Sequence, residues 1–204
     1  MTSKYEAVLF DFDGVLIDSE PVHFQCWRDI LAPYGFDLDW KTYVDNCVGI
    51  SDRTMLENFC RAAGPRLQLD ALIGEYPKKK ALIRERIAEA EVLNADTLDL
   101  LRSLNGYKLA VVSSSNRTEV EPSLIRFGIR ECFEALVCGS ESPKLKPAPD
   151  PYVKAAELLG VQRAIVVEDS AAGEQSGRAA GFEVVRVANS SEVAARVREA
   201  LARL

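Results

Sequence analysis

Short apolar runs alternate with amphipathic segments along much of this chain. Four such runs in the second half are rich in β-branched residues: YKLAVVSS (107–114), EALVCG (134–139), AIVVED (164–169) and EVVRVA (183–188). Continuous apolar runs of this length are typical of strands covered on both faces. Helix-like segments lie between them and end at Gly128, Gly160 and Gly181. The alternation predicts an α/β fold, with a parallel sheet and helices on both of its faces.

The segment that follows the first apolar run, AVLF (7–10), has a different pattern. From residue 20 to about residue 95, apolar positions recur every three or four residues and little strand pattern is present. This spacing indicates amphipathic helices. We therefore predict a core domain formed by residues 1–17 and 95–204, and an inserted helical cap domain at 18–94. Hinges are expected near residues 16–20 and 90–97.

The composition excludes several classes of partner and site. The formal net charge of −6 gives no general attraction to nucleic acid or to an anionic membrane surface. One histidine is too few for a multi-histidine metal site, and the five cysteines have no zinc-site spacing. We interpret them as small core residues in a reducing cytoplasm. With no signal peptide or membrane-spanning run expected, the chain is predicted to be cytoplasmic and monomeric, or at most weakly homodimeric.

Acidic side chains follow two of the predicted strands. Asp11 and Asp13 come directly after the first apolar run, and Glu168 and Asp169 end the run AIVVED. These residues are expected at one edge of the sheet, because ligands bind at the carboxyl ends of parallel strands. Two unit charges ~4 Å apart repel by about 4 kcal/mol at an effective dielectric constant of 20, so the cluster needs a cation. Oxygen ligands without a histidine cluster favour Mg²⁺.

The predicted ligands of this Mg²⁺ ion are not all of one kind. Asp11 and Asp169 would supply carboxylates, and Asp13 would supply its backbone carbonyl. Glu168 has three open roles, as a direct metal ligand, an outer acceptor or a neighbour of Asp169 without a role.

A hydroxyl and an ammonium group make the same edge suitable for phosphate. Ser113 lies at the end of LAVVS, and Lys146 lies in KLKPAPDPY ahead of a predicted helix. Both side chains can donate hydrogen bonds to phosphoryl oxygens, and the lysine also neutralises charge. Ser114, Ser115, Asn116 and Arg117 are further candidates for phosphate contact. For these four residues the alternative is that they only cap the following helix.

The two closely spaced aspartates have separate tasks in phosphate chemistry. Asp11 would attack phosphorus and form an aspartyl-phosphate. Asp13 would protonate the leaving alkoxide and later deprotonate the attacking water. Gly14 would let the chain turn immediately after the pair.

Taken in order, four segments resemble the motifs of the haloacid dehalogenase (HAD) superfamily: DFDGVL, Ser113, Lys146-Pro147 and VVEDSAAG. The position of the cap and the segment DSEPVHFQCW are similar to the β-phosphoglucomutase-like branch. The resemblance covers nearly the whole chain and implies a Rossmann-like core and Mg²⁺-dependent phosphoryl transfer. It also implies that Asp11 is the nucleophile and Asp13 the acid/base, with Ser113 and Lys146 on phosphate and Asp169 on the metal.

The third motif departs from the family pattern at one position. Members often carry a glycine just before the lysine, whereas Leu145 stands here. Lys144 offers a rival ammonium two residues earlier. We favour Lys146, because the lysine directly before PAPDPY is the one that matches the motif.

In the predicted cap, several polar residues are candidates for substrate contact or cap movement. The resemblance suggests that His23 helps the cap to open and close, although a lone histidine on an amphipathic helix is often only packed or solvated. The loop VGISDR resembles a substrate-reading loop, with Gly49, Ser51 and Arg53 as candidates, while Ser51 has an alternative role as a helix N-cap. The run PKKK (77–80) is predicted to be a solvated face or, at Lys79 or Lys80, a site for a distal anionic group.

These features lead to one main hypothesis of function and two alternatives. The main hypothesis is a phosphatase acting on a small phosphorylated metabolite, such as a sugar phosphate, through the aspartyl-phosphate. A phosphosugar mutase would use the same residues, with a sugar hydroxyl instead of water as the second attacking group. A non-enzymatic phosphoacceptor module also uses an acidic pair, a hydroxyl and a lysine, but a helical insert of ~75 residues after the first strand disfavours it.

Overall fold

Five parallel strands form the single sheet found in the described part of the chain. A computed structural model of the protein describes residues 4–47, 52–63, 68–90 and 92–203. The strands are β1 (Ala7–Phe10), β2 (Lys108–Ser113), β3 (Ala135–Cys138), β4 (Ala164–Glu168) and β5 (Glu183–Arg186). Their order is β3-β2-β1-β4-β5, and every neighbouring pair is parallel. The predicted α/β fold class is therefore confirmed.

Ten helices accompany the strands in the described ranges. They are α1 (Glu20–Leu31), α2 (Trp40–Asn46), α3 (Asp52–Ala63), α4 (Leu69–Ile73), α5 (Tyr76–Glu89), α6 (Ala95–Ser103), α7 (Arg117–Arg126), α8 (Asp150–Leu159), α9 (Ala171–Ala179) and α10 (Val193–Ala202). The predicted helix end at Gly160 is confirmed: this residue adopts the left-handed conformation, with φ +64°, that favours glycine.

Strands β1–β4 are buried on both faces apart from Lys108 at the start of β2, which explains why they are almost continuously apolar, whereas the edge strand β5 is only partly buried. On one face, Leu9, Val112 and Val166 pack with Tyr152 and Leu159 of α8. The alternate strand residues are equally buried on the opposite face, and α10 packs against α6 and β5. Because β1 lies in the middle of the sheet, the residues that follow it have a neighbouring strand end on each side.

The chain divides into two compact units, residues 1–18 with 91–204 and residues 19–90. The first contains the sheet. The second contains α1–α5 and has its own core around Trp27 and Leu72. The five cysteines are free thiols: Cys26, Cys47 and Cys138 are buried, and Cys60 and Cys132 are partly buried. No helix within the described ranges is both long and apolar enough to cross a membrane.

The two chain segments that leave and re-enter the α/β unit are paired with each other. Ile17 forms an antiparallel bridge with Leu93, and the Asp18 amide donates to the Val92 carbonyl at 2.8 Å. Both segments lie close to the predicted hinges. Hinge motion itself stays a prediction.

Candidate active site

A buried ammonium group lies among the acidic residues at the carboxyl ends of β1 and β4. Lys146 Nζ donates to Asp11 Oδ1 and to Glu168 Oε1, both at 2.6 Å, and to the Val112 carbonyl at 2.8 Å. Its side chain is 6% exposed. The structure thus places Lys146, rather than the exposed Lys144, against the first aspartate.

Three carboxylates cluster at this edge of the sheet, and two of them, Asp11 and Glu168, contact the Lys146 ammonium. Oxygen atoms of Asp11, Glu168 and Asp169 all lie within 4.8 Å of one another. The Lys146 ammonium compensates one of these negative charges by direct contact, and the remaining negative charge favours a bound cation. The donors are exclusively oxygens, as Mg²⁺ prefers. The residues at this site therefore fit a magnesium ion.

Two carboxyl groups of this cluster have raised pKa values, chiefly because they are buried. Burial raises the pKa of Asp11 well above its usual value, against the attraction of Lys146 and with a further contribution from Glu168. Burial and Glu168 raise the pKa of Asp169 to about 6, despite the nearby Arg186 guanidinium. A bound cation would favour the ionised forms of both.

Lys146 and Glu168 are held in their charged forms by each other. Burial opposes the charge of Lys146, but the Asp11 and Glu168 carboxylates outweigh burial and raise the pKa of the ammonium group. Burial likewise opposes the charge of Glu168, but Lys146 outweighs it and lowers the pKa of the carboxyl group.

Glu168 is fully buried, and donors engage both of its oxygens. Oε1 accepts from Lys146 and from the Tyr152 hydroxyl at 2.7 Å. Oε2 accepts from the amides of Asp169 and Ser170 and from the Ser170 hydroxyl, at 3.0–3.2 Å. A carboxylate has about four lone-pair positions, so five donors leave little capacity for a metal ion. Of the three roles open to Glu168, this geometry favours the outer acceptor that holds Lys146.

Two glycines allow the backbone to approach these carboxylates closely. A Cβ added to Gly173, in the first turn of α9, would lie 1.8 Å from the Glu168 carboxyl group. A Cβ added to Gly14 would lie 2.1 Å from Asp169 Oδ2, and Gly14 has φ +74°. Gly14 therefore provides both the left-handed turn after Asp13 and room for Asp169.

Asp13 and Ser113 are linked through Ser115. The Ser115 hydroxyl donates to Asp13 Oδ2 at 2.9 Å, and the Ser115 amide donates to Ser113 Oγ at 3.0 Å. Ser113 is 4% exposed and ends β2, beside β1. The structure thus brings both predicted residues to the same edge as Asp11.

Two of the other predicted phosphate contacts, Ser114 and Asn116, lie just before α7. Ser114 and Asn116 are exposed, and Asn116 occupies the N-cap position of this helix. The Asn116 side chain does not make the capping hydrogen bond. Its Oδ1 lies 3.0 Å from the point where Gly139 would carry a Cβ. Phosphate contact by these two residues stays a prediction.

The predicted cap residues fall in the second unit or outside the described ranges. His23 lies on α1, where its Nδ1 accepts from Lys79 Nζ at 3.0 Å. Arg53 is exposed on α3, where it pairs with Glu57. Gly49 and Ser51 lie outside the described residues. The proposed roles of all four stay predictions.

The expectation of a solvated face at residues 77–80 is wrong for Lys79. This residue is 5% exposed, and its ammonium donates to Asp52 Oδ2 at 2.9 Å as well as to His23. Lys79 Nζ lies 5.4 Å from the centroid of the Trp27 ring, and the Trp27 indole N–H donates to Asp52 Oδ1. The apolar stem of lysine allows a charged end to be buried when it finds such partners.

Sequence reasoning missed Tyr152 as a site residue. It packs in the core of the sheet while its hydroxyl donates to Glu168. A buried tyrosine hydroxyl needs a hydrogen-bond partner, and this requirement could have indicated that Tyr152 contacts a polar residue. The roles of Gly173 and Ser115 had no comparable signal, because each depends on a contact between distant segments.

Comparison with known proteins is consistent with this geometry. The model of the haloacid dehalogenase-like hydrolase family matches residues 8–187. The fructose-1-phosphate phosphatase YqaB of Escherichia coli (strain K12) is 30% identical over 190 residues, which cover 92% of this chain and 98% of that protein. A phosphorylated carbohydrates phosphatase of Thermotoga maritima is 28% identical, with 87% and 82% of the two chains covered.

A solved structure extends the likeness to the fold. The β-phosphoglucomutase of Clostridium difficile superposes with a TM-score of 0.71 at 22% identity, and the match covers 98% of this chain and all of that one. At this identity the likeness concerns the fold alone. With a family model that spans most of the sequence, the chain belongs to the haloacid dehalogenase-like hydrolases.

Proposed function

We propose that this protein is a Mg²⁺-dependent phosphatase that hydrolyses a small phosphorylated metabolite through an aspartyl-phosphate. The observation that carries the proposal is the Lys146 ammonium on Asp11, with Glu168 and Asp169 beside it. A cation bound to this cluster would offset the repulsion between the Asp11 carboxylate and the phosphate anion that it attacks. Sugar phosphates are the proposed substrate class, because the names of two relatives specify phosphorylated sugars.

In this mechanism Asp11 attacks the phosphorus atom, and the ester oxygen leaves with a proton from Asp13. Asp13 then takes a proton from water, which attacks the aspartyl-phosphate and releases phosphate and free Asp11. Ser113 and Lys146 hydrogen-bond the phosphoryl oxygens. Asp11, Asp169 and the Asp13 carbonyl would hold Mg²⁺, which supplies charge neutralisation when bound.

The direct test is turnover of a panel of sugar monophosphates by the purified full-length chain. We expect one inorganic phosphate per molecule of substrate consumed, measured colorimetrically, with no isomeric sugar phosphate. Isomer formation that depends on an added sugar bisphosphate would replace the proposal with the mutase alternative. A stable phosphoprotein without turnover would support the phosphoacceptor alternative.

Removal of the metal is expected to inactivate the enzyme reversibly. EDTA should abolish phosphate release, and excess Mg²⁺ should restore it, because the buried carboxylates need a cation near the substrate. Mg²⁺ should also raise the melting temperature of the EDTA-treated protein, since a ligand of the folded state stabilises it. Full activity in the chelator would contradict the assignment of the metal.

Replacing the acid/base residue should slow turnover by an amount that depends on the leaving group. For Asp13→Asn we expect kcat on a sugar phosphate to fall by ~10²–10⁴-fold, the usual range for a positioned acid/base. The fall should be much smaller on p-nitrophenyl phosphate, whose leaving group needs little protonation. An unchanged rate on the sugar phosphate would remove Asp13 from this role.

A further inference from the structure

Ser115 is the residue that connects the edge of β2 to the second aspartate. Its hydroxyl donates to Asp13 Oδ2 at 2.9 Å while its amide donates to Ser113 Oγ at 3.0 Å. One residue thus bonds a proposed acid/base through its side chain and a proposed phosphate ligand through its backbone. Neither contact involves the helix α7 that follows.

The backbone on both sides of Ser115 is anchored. On the N-terminal side, β2 pairs in register with β1, so the ends of both strands lie side by side. On the C-terminal side, Arg117 binds both oxygens of Glu141, at 2.6 and 2.9 Å, and donates to the Leu136 carbonyl at 2.9 Å. The loop between β2 and α7 is therefore held at both ends, and the Ser115 hydroxyl has a defined position.

The choice of oxygen matters for a carboxyl group that carries a proton. While the Ser115 hydroxyl donates to Oδ2, as it does here, a proton on Oδ1 leaves that hydrogen bond intact, whereas a proton on Oδ2 would require the hydroxyl to rotate and accept instead. The contact also fixes the rotation of the carboxyl group about its Cβ–Cγ bond. Asp13 could then deliver its proton from Oδ1 and accept one there from water, without reorientation between the two half-reactions.

We propose that Ser115 is a positioning residue for Asp13, which it orients so that Oδ1 is the oxygen that exchanges the proton. This role rests on the proposed function, since it presupposes that Asp13 is the acid/base. The competing role for Ser115 is direct contact with substrate phosphate. The two roles make different predictions: a phosphate contact matters for every substrate, whereas the orientation of Asp13 matters most when the leaving group needs a proton.

The test compares Ser115→Ala with the wild type on two substrates, p-nitrophenyl phosphate and the sugar phosphate that the wild type turns over fastest. We expect kcat on the sugar phosphate to fall about 10- to 100-fold, as for the loss of a hydrogen bond to a charged group. On p-nitrophenyl phosphate, kcat should change by less than about threefold. KM should change little on either substrate, and Ser115→Thr, which keeps the hydroxyl, should restore most of the lost rate.

A matched control is Ser123→Ala, which removes a hydroxyl that donates to a carbonyl within α7. It should leave both rates close to those of the wild type. Three results with Ser115→Ala would each overturn the proposal. They are an equal loss of kcat on both substrates, a change confined to KM, and no loss of kcat at all.

A second measurement does not depend on turnover. In crystal structures, the Asp13 carboxyl should have one orientation in the wild type and in Ser115→Thr, and a rotated or divided one in Ser115→Ala. An unchanged Asp13 in Ser115→Ala overturns the positioning role even if the wild type hydrolyses no tested phosphate. Absence of wild-type turnover would count against the proposed function alone.

Discussion

Asp11→Asn is expected to abolish phosphate release and yet to give a metal-free protein that is at least as stable as the wild type. The amide is a poor nucleophile and a weaker metal ligand than a carboxylate. Without metal, however, the wild type holds three carboxylates close together, two of them against the Lys146 ammonium, and the substitution removes one of those negative charges. The asparagine oxygen can still accept from Lys146, so the hydrogen bond is retained.

The measurement is a pair of thermal melts in EDTA together with a phosphate-release assay in Mg²⁺. The variant should melt at or above the wild-type temperature in EDTA, and Mg²⁺ should raise its melting temperature less than it raises that of the wild type. Asp99→Asn, on the exposed side of α6, is a matched control that should retain activity. A wild-type rate in Asp11→Asn would remove Asp11 from the role of nucleophile.

Lys146→Met should have the opposite effect on stability together with a similarly severe loss of activity. The methionine keeps much of the apolar stem but leaves Asp11 and Glu168 without their ammonium partner. Removal of one member of a buried ion pair typically costs about 3–5 kcal/mol. Loss of a preorganised donor to the reacting phosphoryl group should lower kcat by ~10²–10³-fold.

Chemical denaturation in EDTA measures the loss in free energy of unfolding, and turnover of p-nitrophenyl phosphate measures the loss in kcat. Lys144→Met tests the rival ammonium of the third motif, which is exposed. It should leave both quantities near the wild-type values. If Lys144→Met, and not Lys146→Met, removes activity, then the assignment of the motif lysine is wrong.

The fold was predictable because a sheet covered on both faces needs apolar residues at every strand position. The run AIVVED contains β4, and its last two residues are Glu168 and Asp169, two of the three acidic residues whose oxygens lie within 4.8 Å of one another. Parallel strands bring their carboxyl ends to one edge, so Asp11, Ser113 and Glu168 were expected at the same edge, whereas the contact of Lys146 with Asp11 was not itself predicted. The resemblance to the haloacid dehalogenase superfamily then pointed to phosphoryl transfer as the reaction.

The remaining features depend on contacts between segments that no local pattern connects. The sequence alone left three roles open for Glu168, and only the five donors around it favour one. Lys79 belongs to a run of charge that predicts solvent exposure, yet its end is buried against Asp52 and His23. Ser115 is one of three consecutive serines, and its contact with Asp13 distinguishes it from the other two.

The pairing of Ile17 with Leu93, and of the Asp18 amide with the Val92 carbonyl, has a consequence for how such an enzyme can diversify. The insertion begins and ends at adjoining points of the α/β unit, so its length or sequence can change without disturbing β1, the strand that Asp11 and Asp13 follow. Selection could therefore exchange one insert for another as a module while the residues at the strand ends are inherited intact.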